Sequence, residues 1–385
     1  MSAPPSETTQ ITIPDALRPR DGRFGSGPSK VPHEAIAALA DAAPGFMGTS
    51  HRREGVRTVV RRIREGFGEL FALPAGYEVL LGNGGSTLFW DAAVFGLVER
   101  RSTHLVLGEF SSKFAAVSRA APHLDEPQVW ETPPGERAQS PGTIEGDVYA
   151  YPHNETSTGV AVEVHRPAGT DALVVVDGTS AAGGMRVEAD QFDVYYFAPQ
   201  KCFASDGGLW LACCSPRAIE RIERLTADRW SPVTLDLSVA VENSRLDQTY
   251  NTPALATLFL LDHQLQWMLA NGGMEFAAER CDASAGILYG WADAHAHATP
   301  FVTDHGSRSR VSATIDFDDA VDAAAIAAAL RANGIVDVEP YRKLGRNQLR
   351  IALFPSIEPD DVERLTRAID FVIDRLGSTE KRAEP

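Results

Sequence analysis

Three apolar runs in the middle of the chain each end in polar residues: "DVYAYPHNETSTGV" (147–160), "ALVVVDGTSAAGG" (172–184) and "DVYYFAPQK" (193–201). Runs this short and this rich in valine, tyrosine and leucine predict strands buried on both faces. Upstream, "YEVLLGNGGSTLFWDAAVFGLV" predicts strand, glycine turn and helix, and "THLVLGEFSSKFAAVSRAA" repeats the pattern. Strands interleaved with helices constrain the chain to an α/β fold, a mostly parallel sheet covered on both faces. In such sheets the ligand site lies outside the carboxyl ends of the strands. The polar strand ends are therefore the place to look for chemistry.

At 385 residues and 44% hydrophobic composition the chain can bury more than one sizeable core. A net charge of −16 argues against a general nucleic-acid or anionic-membrane surface, because the average field repels phosphate. Any anion site must be local. The four cysteines show neither disulfide framework nor zinc-ligand spacing, so no metal site is expected. The N-terminal stretch has no basic-then-apolar signal pattern, and no segment offers 18 uninterrupted apolar residues. A cytoplasmic, unexported protein is the expectation.

The sequence before the first strand predicts two helices, "VPHEAIAALADAA" and "REGVRTVVRRIREGFGELFAL". In the second, Val56, Val59, Val60, Ile63, Phe67 and Leu70 share a face, leaving Arg57, Arg61 and Arg64 as a solvated face. Beyond Thr252-Pro253 the chain turns helical, then alternates again in "SATIDF", "DAAAIAAALRANGI" and "QLRIALF". Those last segments predict a small α+β unit with a boundary near residue 270.

Thr156, Asp177 and Lys201 fall in order at the three polar strand ends. Lysine forms a Schiff base when its amine is partly desolvated or electrostatically tuned, and a carboxylate on a neighbouring buried strand suits a protonated ring nitrogen. That is the arrangement pyridoxal phosphate requires. The turn "GNGGST" adds backbone N–H groups and two hydroxyls at a helix N-terminus, where a phosphate is favoured. It lacks the Gly-Lys-Ser/Thr of a Walker loop, and alone it is as consistent with a plain connection. Arg350 stands inside the last apolar strand, where an unpaired guanidinium is costly, and so is a candidate for binding a carboxylate.

"SGPSKVP", "TSHR", "NETSTG", "APQK" and "NTPA", in this order along nearly the whole chain, resemble the phosphoserine aminotransferases of the class-V, fold-type I pyridoxal phosphate enzymes, in their actinobacterial form. The resemblance implies a large domain (28–269) with a mostly parallel seven-stranded sheet flanked by helices. It also implies a small α+β C-terminal domain (270–385), with residues 1–27 as a segment associated with it. Pyridoxal 5'-phosphate is the implied cofactor. Lys201 and Asp177 are implied as catalytic, and Gly85, Ser86, Thr87, Phe110, Thr156, Gln200, Asn251 and Thr252 as cofactor-binding, the last two reaching the partner subunit's site in a homodimer. His51 and Arg52, also delivered across the dimer, with Arg342 and Arg350, are implied as substrate-binding. Arginine fits both tasks because its planar donor fork matches carboxylate or phosphate.

The implied reaction is reversible amino transfer between L-glutamate and 3-phosphohydroxypyruvate, giving O-phospho-L-serine and 2-oxoglutarate for serine biosynthesis. The family's 4-phosphohydroxy-L-threonine step in pyridoxine biosynthesis is a further implied role. Many relatives carry tryptophan at the position of Phe110 and histidine at that of Tyr341, and some carry arginine at that of Ser86. The alternatives are another class-V enzyme, such as an alanine- or serine-glyoxylate transaminase, and a catalytically inactive binding protein on the same fold. Small molecules are the expected partners in every catalytic case, with neither nucleic acid nor membrane.

Overall fold

The computed structural model describes residues 11–139 and 141–383; residues 1–10 of the expected N-terminal segment lie outside them. Helices α1 (His33–Phe46) and α2 (Glu54–Leu70) lead into strand β1 (Glu78–Asn83). Then come α3 (Ser86–Gly96), β2 (Ser102–Val106), α4 (Glu109–Ala120), β3 (Gln128–Glu131) and β4 (Val148–Pro152). A short hairpin, β5 (Asn154–Glu155) and β6 (Val160–Ala161), precedes β7 (Leu173–Asp177), β8 (Val194–Phe197) and β9 (Leu209–Cys214). Helices α5 (Pro216–Asp228), α6 (Leu237–Arg245), α7 (Leu255–Ala270) and α8 (Gly273–Ala294) follow. The chain closes with β10 (Ala298–Pro300), β11 (Ser312–Phe317), α9 (Ala323–Ala332), β12 (Gln348–Ala352) and α10 (Pro359–Ala383).

The large sheet has seven strands in the order β1-β9-β8-β7-β4-β2-β3, and only β9 opposes the rest. The two-residue period of each strand splits its side chains between two cores. Val174, Val176, Tyr195 and Phe197 pack on one side with Val60, Phe67, Leu261 and Leu265 of α2 and α7. Leu173, Val175, Val194 and Tyr196 pack on the other with Phe89, Ile222 and Val241 of α3, α5 and α6. A sheet covered twice is why these strands are continuous apolar runs rather than alternating ones.

A separate core gathers Ile13 and Phe24 with residues of α8, α9, α10 and the three-stranded antiparallel sheet β10-β11-β12. One expectation needs correcting. Arg57, Arg61 and Arg64 are not simply a solvated face: Arg61 and Arg64 both pair with Asp247, at 2.9 and 2.8 Å, and Arg57 donates to the Leu246 carbonyl. They dock α2 on the turn after α6, whose acidic residue a helical pattern cannot reveal.

Candidate active site

Asp177 is the last residue of β7, registered against Pro152 of β4 and Tyr196 of β8, so it sits at the sheet's carboxyl edge. Lys201 lies in the connection from β8 to β9. The connection folds back so that the lysine is buried, and its Nζ donates to the Ser26 carbonyl at 2.5 Å. Burial, and next the nearby Arg350 guanidinium, lower the Lys201 amine to about 8 from the usual 10.5. Gly27 makes this approach possible: with φ at +146°, a Cβ there would stand 2.4 Å from Lys201 Nζ. The Phe110 ring, in the first turn of α4, faces the same nitrogen at 5.9 Å.

Burial pushes the Asp177 carboxyl above the usual carboxylate range, although the Thr179 N–H donates to it at 2.8 Å. The Tyr196 hydroxyl also donates to Asp177, and itself accepts from the Trp90 indole N–H at 2.8 Å. No cationic side chain pairs with Asp177 among the described residues. The Thr179 hydroxyl bonds Ser86 Oγ at 2.7 Å, which ties the N-terminus of α3 to the Asp177 loop. Gly85 is the N-cap of α3 and no side chain caps this helix, so its first amides remain available to an anion. Thr87 is exposed in the same turn, and Thr156 is buried beside Glu155.

These groups fit pyridoxal phosphate on three counts. An anion-ready helix start stands near a half-buried carboxylate that pairs with no cation among the described residues, and a lysine amine is held neutral more readily than usual. Buried polar atoms on the surrounding residues also have no hydrogen-bond partner among the described residues: Asn154 Oδ1, Gln200 Oε1 and Arg350 Nε. Orphaned buried polar atoms are uncommon and call for a bound group.

Arg350 in β12 has no carboxylate partner among the described residues, and its guanidinium lies 5.4 Å from the Tyr341 ring. Tyr341 in turn contacts Phe110, with centroids 6.0 Å apart. In the loop 341–347, two of the three basic side chains are already engaged: Lys343 pairs with Glu109, and Arg346 pairs with Asp316 and stacks on Phe301. Arg342 is exposed and has no such partner among the described residues.

His51, Arg52, Asn251 and Thr252 form a different patch of the same subunit. His51 Nδ1 meets Thr252 Oγ1 at 3.2 Å, Arg52 donates to Gln248 Oε1 and the Tyr250 carbonyl, and Asn83 donates to the Asn251 carbonyl. No hydrogen bond, ion pair or ring contact among the described residues joins this patch directly to Lys201, Asp177 or Arg350. Burial, then Arg52, lowers the His51 imidazole. Cys202 is fully buried and burial raises its thiol strongly, which makes it packing rather than a nucleophile.

Sequence reasoning missed Ser26, Gly27, Trp90, Thr179 and Tyr196. The motif "SGPSKVP" carried the signal for the first two, but their role is a main-chain contact. The relay from Trp90 through Tyr196 to Asp177 links separate elements and leaves no local pattern.

The chain belongs to the class-V aminotransferases, whose family model matches residues 24–338. A putative phosphoserine aminotransferase of Mycobacterium leprae is 57% identical over 371 residues, covering 96% of this chain and 99% of its own. A phosphoserine aminotransferase of Rhodococcus jostii is 54% identical over 372 residues, covering 96% and 100%. The solved structure of a phosphoserine aminotransferase from Cytophaga hutchinsonii shares the fold, with a TM-score of 0.83 at 24% identity over 91% of this chain and 99% of that one. Within its class the chain is a member of the phosphoserine aminotransferase family.

Proposed function

We infer that the protein catalyses reversible amino transfer between L-glutamate and 3-phosphohydroxypyruvate, yielding O-phospho-L-serine and 2-oxoglutarate. The observation that carries this reading is a pair of cations, the buried Lys201 and the half-buried Arg350, close enough to depress the lysine, with no carboxylate paired to Arg350 among the described residues. Two such groups are costly unless an anion completes the site. Relatives 54–57% identical over almost the whole chain bear the name phosphoserine aminotransferase.

Pyridoxal phosphate, when bound, supplies the electron sink for a negative charge at the substrate's α-carbon. Gly85, Ser86, Thr87 and Gln200 would hold its phosphate, Phe110 and Thr156 would hold the rest of the group, and Asp177 would keep it protonated. Lys201 would anchor the group, and its Nζ is the base that would move the substrate's α-proton. A neutral amine is needed for that transfer, and the depressed Lys201 value supplies a useful fraction near neutral pH. Arg350 binds the α-carboxylate common to both amino acids, and Arg342 reaches the distal anion.

The second half of the distal site comes across a homodimer, through His51 and Arg52, while Asn251 and Thr252 reach the partner's cofactor phosphate. Supporting this, the patch adjoins exposed apolar residues Leu246 and Tyr250, and a cavity of about 280 Å³ lined by Trp210, Val233, Leu235 and Tyr250 opens beside it. Unpaired apolar surface of this kind marks a protein contact. We also propose a division near residue 270 into large and small domains, with residues 11–27 packed on the latter, a cytoplasmic location, and a second phosphorylated substrate from pyridoxine biosynthesis. No helix among the described residues is long and apolar enough to cross a membrane.

The test is a titration of the cofactor-loaded protein with phosphoserine, glutamate and serine while its visible absorption is followed. Phosphoserine and glutamate should convert the bound cofactor to its amine form, with serine far weaker. Equal response to serine would reject the cationic distal site.

A further inference from the structure

Glu155 is completely buried and no lysine, arginine or histidine pairs with it among the described residues. Its two oxygens instead receive five donors. Oε2 accepts from Ser111 N–H at 3.0 Å and Ser111 Oγ at 2.7 Å. Oε1 accepts from Phe110 N–H at 3.3 Å, Ser157 N–H at 3.3 Å and Ser157 Oγ at 2.6 Å. Ser157 Oγ also accepts from Glu109 N–H at 3.0 Å. Helix α4, whose own N-cap is Gly108 with no side-chain bond, is thus capped by a carboxylate from a distant hairpin. A negative charge at that end is also favoured by the helix dipole.

Gly108 supplies independent evidence that the geometry depends on this approach. A Cβ there would lie 2.8 Å from Glu155 Cγ, 3.0 Å from Cδ and 2.5 Å from Ser157 Oγ. The carboxylate therefore reaches the helix only because residue 108 has no side chain. The segments it joins carry Phe110, whose ring lies 5.9 Å from Lys201 Nζ, and the buried Thr156, the residue next to Glu155 that is read above as cofactor-binding.

We propose that Glu155 is a positioning residue for the cofactor, fixing the Phe110 ring and the Thr156 hydroxyl in one register so that both meet the bound group from set directions. This rests on reading the pocket as a pyridoxal phosphate site. Glutamine at 155 keeps the shape but turns an N–H₂ group toward donors, and alanine at 108 displaces the carboxylate without altering its charge.

The experiment measures cofactor affinity by fluorescence and the visible circular dichroism of bound cofactor. The proteins are the wild type, Glu155→Gln, Gly108→Ala, the milder Ser157→Ala, and Phe110→Ala alone and combined with Glu155→Gln. Glu155→Gln and Gly108→Ala should each weaken cofactor binding about tenfold or more, the scale of a lost hydrogen bond to a charged group, with Ser157→Ala in the same direction but less. The dichroism should fall in parallel, and Glu155→Gln should cost clearly less in the Phe110→Ala background than it does alone, the remainder acting through Thr156. Full additivity in that background, or variants with wild-type affinity and dichroism, would overturn the proposal alone. A wild type that takes up no cofactor would overturn it together with the reading of the pocket.

Discussion

Arg350→Lys keeps the charge in β12 but replaces a flat two-pronged donor with a single ammonium. In the structure the guanidinium lies over Tyr341, its Nε is buried without a partner, and no carboxylate opposes it among the described residues. A bound α-carboxylate therefore gains a bidentate contact with a poorly solvated cation. Losing one of two charge-assisted bonds costs about 1.5–3 kcal/mol, or roughly a tenfold to hundredfold loss of affinity. Because both amino acids share the α-carboxylate, glutamate and phosphoserine should weaken by the same factor in equilibrium titrations of the loaded protein. Arg350→Met removes a half-buried charge that no carboxylate offsets among the described residues, so the cofactor-free protein should melt at the same temperature or higher. A lower melting temperature with unchanged substrate affinity would mean that Arg350 is structural. Loss for phosphoserine alone would mean that it reads the phosphate.

Arg342→Ala should raise the KM for phosphoserine by about tenfold or more through one lost charge-assisted bond, while leaving serine turnover nearly unchanged in the same steady-state assay. Gly27→Ala pushes a methyl group against Lys201 Nζ, and a displacement of that size should cut kcat about a hundredfold while the mutant stays folded by circular dichroism. The Lys201 value also sets a pH dependence. It is about 8 in the folded protein against the usual 10.5, so between those values the unfolded chain holds the extra proton. Cofactor-free wild type should then gain up to about 3 kcal/mol of unfolding free energy from this group as pH rises from 8 to 10.5. Denaturant titrations should show that gain missing in Lys201→Met.

What the sequence made legible follows from period and position. Asp177 ends β7 and Lys201 follows β8 by four residues, after apolar runs that announce both strands, and the glycines before Ser86 mark a helix start, so these three features were readable in one dimension. Contacts made across the chain were not. The Ser26 carbonyl meets Lys201 from 175 residues away, and Tyr196 differs from Tyr195 only in which face of β8 it occupies. Sequence alone does not separate the basic residues of the loop after Tyr341: Lys343 and Arg346 hold Glu109 and Asp316, whereas Arg342 has no ion pair among the described residues. Antiparallel β9, slipped between parallel β1 and β8, carries no signature that separates it from its neighbours.

The most direct test is steady-state amino transfer from glutamate to 3-phosphohydroxypyruvate by the cofactor-loaded protein, run beside Lys201→Ala and beside glyoxylate as the alternative acceptor. The expected result is turnover to phosphoserine by the wild type, little transfer to glyoxylate, and none by the Lys201 variant. Turnover that survives in Lys201→Ala, or glyoxylate accepted as readily as the phosphorylated keto acid, would contradict the account.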